Sequence, residues 1–282
     1  MPEMDVKEAA AHWRRAQVEP ELAALGFSPT LATVRREGDA GAQSYERALS
    51  SRSQALSYQG LTVRHVAHTV QTAQEALELV ERLNADPAVA GILVFYPLGL
   101  GADDSVVMNT VNPNKDVEGL HAVNLGYLQQ YRRTLHRHES CKLTVPCTAK
   151  AVGKLLDFYQ IAVRGRTVVL FNNSLILGRP LGSYLENLGA TVIRTFDQTP
   201  ADYQQHALAR AHIVVTGVPK EVDLFDQVPE GAVVINVSGV RNFPPEALAR
   251  ASWHTSRIGG LTCEMAILQT LYVARRTKAG LA

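Results

Sequence analysis

The strongest constraint in this sequence is a repeated alternation. Short, β-branched apolar runs are separated by stretches of helical periodicity, in two series. In the first series "SPTLATVRRE", "LTVRHVA" and "VAGILVFYPL" read as strands, the last ending at Pro97. Between them "GAQSYERALSSRSQALSYQG", closed by Gly60, and "TAQEALELVERLNAD" read as helices. A helical pattern over residues 5–25, ending near Gly26, precedes them. After Cys147 the strands "RTVVLFN", "ATVIRTFD", "AHIVVTGV" and "AVVINVS" again alternate with helical patterns. Parallel neighbours need a long crossover, commonly a helix, so this order predicts parallel sheets flanked by helices.

The expected fold is therefore α/β: two α/β domains around a cleft, the C-terminal one a Rossmann-type parallel sheet. Between the series, residues 119–147 hold one helical pattern and the polar run "RRTLHRHES". The last helical stretch, Leu261 to Arg276, is apolar on one face and is expected to return to the N-terminal domain. The expected limits are 1–146 plus 262–282 for the first domain and 147–261 for the second.

Hydrophobic residues make up 46% of the 282 and charged residues 20%, enough apolar material for two cores. A net charge of +1 leaves no electrostatic footprint for nucleic acid or an anionic membrane. No apolar run reaches bilayer length, and the opening "MPEMDVKEAAAHWRRAQ" lacks the apolar centre of a secretory signal. Cys141, Cys147 and Cys263 cannot all pair and show no C-x-x-C spacing, so a reducing, cytoplasmic setting is expected. His136 and His138 with Cys141 fit no zinc spacing, and no metal is expected.

Ligands of open parallel sheets bind at the carboxyl ends of the strands. The turns after Val94, Phe171, Val215 and Val237 are the places to look. In "VVLFNNSLILGRP", Val168 to Pro180, an apolar run ends in Asn172, Asn173 and Ser174, with Ile176 and Gly178 following. This is the position of a dinucleotide phosphate loop, yet no G-x-G-x-x-G is present. Asn tolerates left-handed geometry, Gly178 permits close backbone approach, and a helix N-terminus offers N–H groups to phosphate. A helix cap with no ligand accounts for the same residues. Asp197, nineteen positions after Gly178, ends the next strand, where a carboxylate accepts from ribose hydroxyls and repels a 2′-phosphate. That favours NAD over NADP, with Arg179 and Arg194 the cations that keep NADP open.

Six blocks in one order carry a resemblance: "GILVFYPL", "NPNKDVEGLHAVNLG", "PCTAKAV", "SLILGRPLGSYLENLGATV", "IVVTGVP" and "EGAVVINV". From about residue 28 onward the chain resembles the methylenetetrahydrofolate dehydrogenase/cyclohydrolase family, and within it most resembles the monofunctional, NAD-dependent branch. The ending "RIGGLTCEMAIL" has Gly-Gly-Leu-Thr where most of the family has Gly-Pro-Met-Thr. The resemblance implies a folate substrate, a homodimer, and a ring-stacking Tyr45 with Glu118 as the catalytic-site acid holding the pterin. Asp116, beside Glu118, is a candidate substrate ligand whose role is more structural. Phe95, Gly259, Gly260 and Thr262 complete the implied substrate side. Cys147 and Thr148, in the loop near the nicotinamide, join Asn172, Asn173, Ser174, Ile176, Asp197, Gly217, Val218, Pro219, Asn236 and Ser238 on the cofactor side.

Departures from the family pattern bear on chemistry. Bifunctional members carry Lys four residues after that Tyr and Gln in "LVQLPL"; here Leu49 and Phe95 stand there. The resemblance implies that this pair serves cyclohydrolase chemistry, so hydrolysis is expected to be lost. Hydride loss from a carbon between two nitrogens needs no obligatory base, and positioning carries the step. The expectation is NAD-dependent oxidation of 5,10-methylenetetrahydrofolate. The alternatives are a non-catalytic folate- or nucleotide-binding homologue and a bifunctional, NADP-dependent enzyme.

Overall fold

The computed structural model describes residues 3–280 except 102, 136–140, 219, 221–227, 239 and 256. Two compact units result: Ala11–Cys147 with the chain from Thr262 onward, and Thr148–Leu261 with the segment up to Ala10.

The chain opens with α1 (Val6–Trp13), a π-helical turn (Arg14–Val18) and α2 (Glu19–Leu25), which stops at Gly26 with φ 79°. β1 (Thr30–Arg36), α3 (Ala40–Gln54), β2 (Arg64–Val70), α4 (Ala73–Ala85) and β3 (Gly91–Val94) follow in the expected order. They form a parallel sheet, β2-β1-β3. α3 and α4 begin where the sequence supplies caps: the Asp39 and Thr72 side chains accept from the N–H groups of Ala42 and Glu75. α3 ends at Gln54, short of Gly60. Gly60, at φ 76°, instead belongs to a tight turn in which Tyr58 and Leu61 exchange backbone hydrogen bonds. β3 is likewise shorter than its apolar run, ending before Phe95 and a cis Tyr96–Pro97 bond.

After α5 (Asp104–Thr110), residues 115–117 run alongside β3. The Ile92 N–H donates to the Lys115 carbonyl (2.8 Å) and the Val117 N–H to the Ile92 carbonyl (3.0 Å). Lys115 is buried there. Its Nζ donates to the carbonyls of Leu83, Asn84 and Asp86, which the end of α4 leaves without helical partners. α6 (Ala122–Gln129) follows.

The second unit contains α7 (Cys147–Phe158) from Thr148 onward, β4 (Thr167–Phe171), α8 (Gly178–Asn187), β5 (Thr191–Thr195), α9 (Ala201–Leu208), β6 (Ile213–Thr216), β7 (Val233–Asn236), α10 (Pro245–Arg250) and β8 (Trp253–Thr255). These strands make a Rossmann-type parallel sheet, β5-β4-β6-β7-β8. Its core packs Val169, Phe171, Val214 and Val234 with Leu208, Phe243 and Ala247. The chain leaves β4 toward β5 and leaves β6 toward β7, in opposite directions, so the topological switch lies between β4 and β6. β8 is an addition to the expected strands. Beside it the Met4 N–H donates to the His254 carbonyl at 2.8 Å and the Asp5 N–H to Tyr159 Oη. These bonds place the first residues with the second unit rather than with the rest of 1–146.

α11 (Gly259–Lys278) belongs from Thr262 onward to the first unit. Its buried Glu264 carboxylate takes Arg14 and Arg52, at 2.9 and 2.8 Å, and its buried Arg276 donates to the carbonyls of Pro113 and Lys142. A Cβ on Gly91 would lie 2.6 Å from Val117 and 3.0 Å from Val273, so glycine lets β3 run close beneath this helix. Among the described residues no helix is long and apolar enough to cross a membrane.

Candidate active site and nucleotide site

In the first unit Ile92 pairs with Asp116 in parallel, which brings Glu118 level with the end of β3. Just past that end, the Phe95 ring meets Tyr45 of α3 edge-on, with centroids 5.2 Å apart. Tyr45, Phe95 and Glu118, expected on the substrate side, thus share one region. Burial pushes the Glu118 carboxyl up to about 7; the Cys147 N–H, 3.1 Å from Oε2, works against that, and the Asp116 charge adds to it. Burial also raises the Tyr45 hydroxyl well above its usual value, and the charge of Glu118 adds to the effect. Leu49, one turn after Tyr45, is fully buried.

Asp116 has a different occupation. Its oxygens accept from the Gly119 and His121 N–H groups and from Asn124 Nδ2, at 2.8–2.9 Å. It holds the turn that presents Glu118, and three protein donors already fill it. Cys147, expected near the cofactor, is fully buried, with Sγ 3.2 Å from Gln269 Nε2. Gln269 of α11, which the sequence reading did not single out, ties this region together. Its Nε2 donates to the Val117 carbonyl (2.7 Å) and its Oε1 accepts the Val145 N–H (2.8 Å). The two strands of chain that position Glu118 and Cys147 are therefore clamped by one buried amide. Thr262 is buried near the start of α11, whereas Gly259, the first residue of that helix, has open space around it.

In the second unit the turn after β4 is knotted by Asn172. Its Oδ1 accepts from the Ser174 N–H and hydroxyl and from the Gly178 N–H, while its Nδ2 donates to the Gly217 carbonyl at 3.0 Å. The Arg179 N–H is taken by the Ser174 carbonyl and the Leu177 N–H by the Ser174 hydroxyl; Pro180 has no N–H. The first donors of α8 are thus satisfied within the turn, which corrects the expectation that they are offered outward to phosphate. The glycines let the turn pack closely on itself. A Cβ on Gly178 would lie 2.0 Å from the Asn172 carbonyl oxygen, and one on Gly217 2.4 Å from Leu177. Asn236 and Ser238 repeat the knot after β7: Asn236 Oδ1 accepts from the Ser238 N–H at 2.9 Å and the Ser238 hydroxyl at 2.8 Å.

Beside these turns lies a cavity of about 450 Å³, at the carboxyl ends of β4, β5 and β6. Asn172, Asn173, Asp197 and Val218 line it, together with Phe196, Gln204 and Lys220. Ser174 and Ile176 stand half-buried in the adjoining turn, and Thr148 half-buried in α7. Pro219 and the run His136–His138 lie outside the described residues. Of the cations weighed for a 2′-phosphate, Arg179 Nε donates to the Asn173 carbonyl (3.2 Å) and Arg194 lies along Gly182 of α8. Neither lines the cavity; Lys220 does. The signal for it was a cation two positions past the "GV" that closes β6.

Residues 4–118 match the tetrahydrofolate dehydrogenase/cyclohydrolase catalytic domain, and residues 146–275 match the NAD(P)-binding domain of the same family. The chain belongs to the tetrahydrofolate dehydrogenase/cyclohydrolase family. It is 35% identical over 221 residues to the bifunctional protein FolD of Campylobacter concisus, covering 77% of this chain and 72% of that one. It is 32% identical over 251 residues to FolD of Staphylococcus aureus, covering 86% and 80%. Among solved structures, the NAD-dependent 5,10-methylenetetrahydrofolate dehydrogenase of Saccharomyces cerevisiae superposes with a TM-score of 0.87 at 24% identity, over 98% of both chains, and shares the fold. The Trypanosoma brucei dehydrogenase-cyclohydrolase, solved with NADP and an inhibitor, superposes with a TM-score of 0.83 at 26% identity, over 99% of both. Family membership accounts for an NAD(P)-binding unit and a folate substrate. The choice of nucleotide and the hydrolytic step rest on this chain's own residues.

Proposed function

We propose that this protein oxidises 5,10-methylenetetrahydrofolate to 5,10-methenyltetrahydrofolate with NAD as hydride acceptor, lacks cyclohydrolase activity, and works as a cytoplasmic homodimer. The observation that carries the reading is Leu49: one turn from Tyr45, at the position of the family's lysine, stands a fully buried apolar side chain. It offers no proton and no hydrogen bond to a water attacking the methenyl carbon. Phe95, at the position of the family's glutamine, turns its ring to Tyr45 and offers none either.

The remaining residues suit the redox half. Nicotinamide supplies the hydride acceptor when bound. Tyr45 provides an aromatic face for a planar ring, and an ionised Glu118 accepts two ring N–H donors. Positioning of this kind carries a hydride transfer that needs no protein base. For the nucleotide, Asp197 brings a carboxylate to the cavity at the carboxyl ends of the strands. A carboxylate there favours a free ribose hydroxyl over a phosphate.

A paired assay on the purified protein tests this. Methylenetetrahydrofolate with NAD should yield the acid-stable methenyl product by absorbance, faster than with NADP. Methenyltetrahydrofolate should hydrolyse no faster than in buffer. Accelerated hydrolysis would overturn the monofunctional reading, and absence of product with both nucleotides would overturn the dehydrogenase.

A further inference from the structure

Among the described residues of the first unit, two phenol oxygens are buried without a hydrogen-bond partner: Tyr45 Oη and Tyr96 Oη. An unpaired buried hydroxyl is costly, and phenylalanine in either place would pack the same ring without that cost. Tyr45 already has a place in the folate reading. Tyr96 has none.

Tyr96 directly follows Phe95, whose ring lies 5.2 Å from that of Tyr45, and it sits where the chain leaves β3 at the level of Glu118. Its ring packs against the core that includes Val94, Leu98 and Val107, so its position is fixed by apolar contacts rather than by its hydroxyl. Nearby carboxylates are engaged elsewhere. Asp104 Oδ2 accepts the Leu98 N–H at 3.0 Å, and Asp116 carries the three donors of its own turn.

We propose that Tyr96 is a specificity-determining residue of the folate site, its hydroxyl donating to a carbonyl oxygen or ring nitrogen of the bound pterin-type ring. The inference rests on the folate reading above. Burial, with the charges of Asp116, Asp104 and Glu118 adding to it, holds the phenol protonated well above its usual range, so it enters any complex as a donor. A carboxylate such as Glu118 can only accept. A pterin edge carries N–H groups beside carbonyl and imine acceptors, and one acceptor plus one donor from the protein match it.

Tetrahydrofolate is titrated calorimetrically into the unsubstituted protein and into Tyr96→Phe, and both free proteins are melted. Tyr96→Phe should melt at the same or a higher temperature, bind tetrahydrofolate about tenfold more weakly, and show a matching rise in KM with kcat little changed. Unchanged affinity in Tyr96→Phe overturns the inference. So does weaker binding accompanied by a clear fall in Tm, which marks a packing role. If the unsubstituted protein itself fails to bind tetrahydrofolate, the folate reading fails and takes this inference with it.

Discussion

The backbone N–H of Cys147 donates to Glu118 Oε2 at 3.1 Å and, with the Cys147 side chain, favours ionisation of a carboxyl held up to about 7 by its burial. An acid with a raised folded-state value keeps its proton between pH 4.5 and about 7 while the unfolded chain has lost it. Its contribution to stability is therefore full below about pH 4.5, declines as pH rises to about 7, and is level above. Ligand binding runs the other way, because only the carboxylate accepts two N–H donors. Melting the protein and Glu118→Gln from pH 5 to 8 should show the substituted chain losing less stability across the window. Tetrahydrofolate affinity of the unsubstituted protein should rise with pH through about 7, and that rise should vanish in Glu118→Gln.

Gln269 supports the same pair from the last helix. Gln269→Leu has similar bulk but leaves the Val145 N–H without its partner and the Val117 carbonyl with only the Cys147 thiol, 3.6 Å away. One orphaned donor and one weakened acceptor predict a loss of about 1–3 kcal/mol in urea denaturation. Residual activity should also show an altered pH profile, since the segment bearing Glu118 loses its anchor.

The order of elements was legible because it rests on local periodicity: every strand expected from an apolar run is present, and Asp39 and Thr72 cap helices as their types demand. Other features depended on contacts far along the chain. Lys115 reads as part of a charged turn, "NKDVEG", yet it is buried because the carbonyls at the end of α4, some thirty residues back, need a donor. Asn172 was legible as a turn residue and as a possible cap. That its amide would consume the first N–H of α8 and reach across to Gly217 follows only from the adjacency of β4 and β6. One trace was in plain view: Asn-x-Ser ends both β4 and β7, at Asn172/Ser174 and Asn236/Ser238, and both close the same side-chain knot. β8 went unread because three residues, Trp253–Thr255, carry too little pattern to stand out.

Two opposed charges, Asp197 and Lys220, line one cavity, and the proposed NAD preference assigns the choice of nucleotide to them. Asp197→Ser removes the carboxylate and leaves the cation, so the ratio of kcat/KM for NADP to that for NAD should rise by about fivefold or more, roughly 1 kcal/mol. Adding Lys220→Ala to that background should reverse most of the gain. Arg194→Ala, outside the cavity, should leave the ratio unchanged. An unaltered ratio in Asp197→Ser would remove Asp197 from ribose recognition.

Leu49 and Phe95 define the last test. Leu49 is fully buried and Phe95 nearly so, with the Tyr45 ring against Phe95. A lone Leu49→Lys puts an ammonium where a fully buried leucine stands. It should cost on the order of 3–5 kcal/mol, or the lysine should titrate below its usual range. Adding Phe95→Gln supplies an amide that can accept from the ammonium and hold it toward the ring. The double substitution should then recover part of the lost stability, a non-additive result for neighbours in one network, and raise methenyltetrahydrofolate hydrolysis above the buffer rate, which neither single change does. Stability recovered without hydrolysis would separate the two effects: it would show a lysine accommodated but misplaced for water attack, and the absence of cyclohydrolase would then rest on more of the site than Leu49 and Phe95.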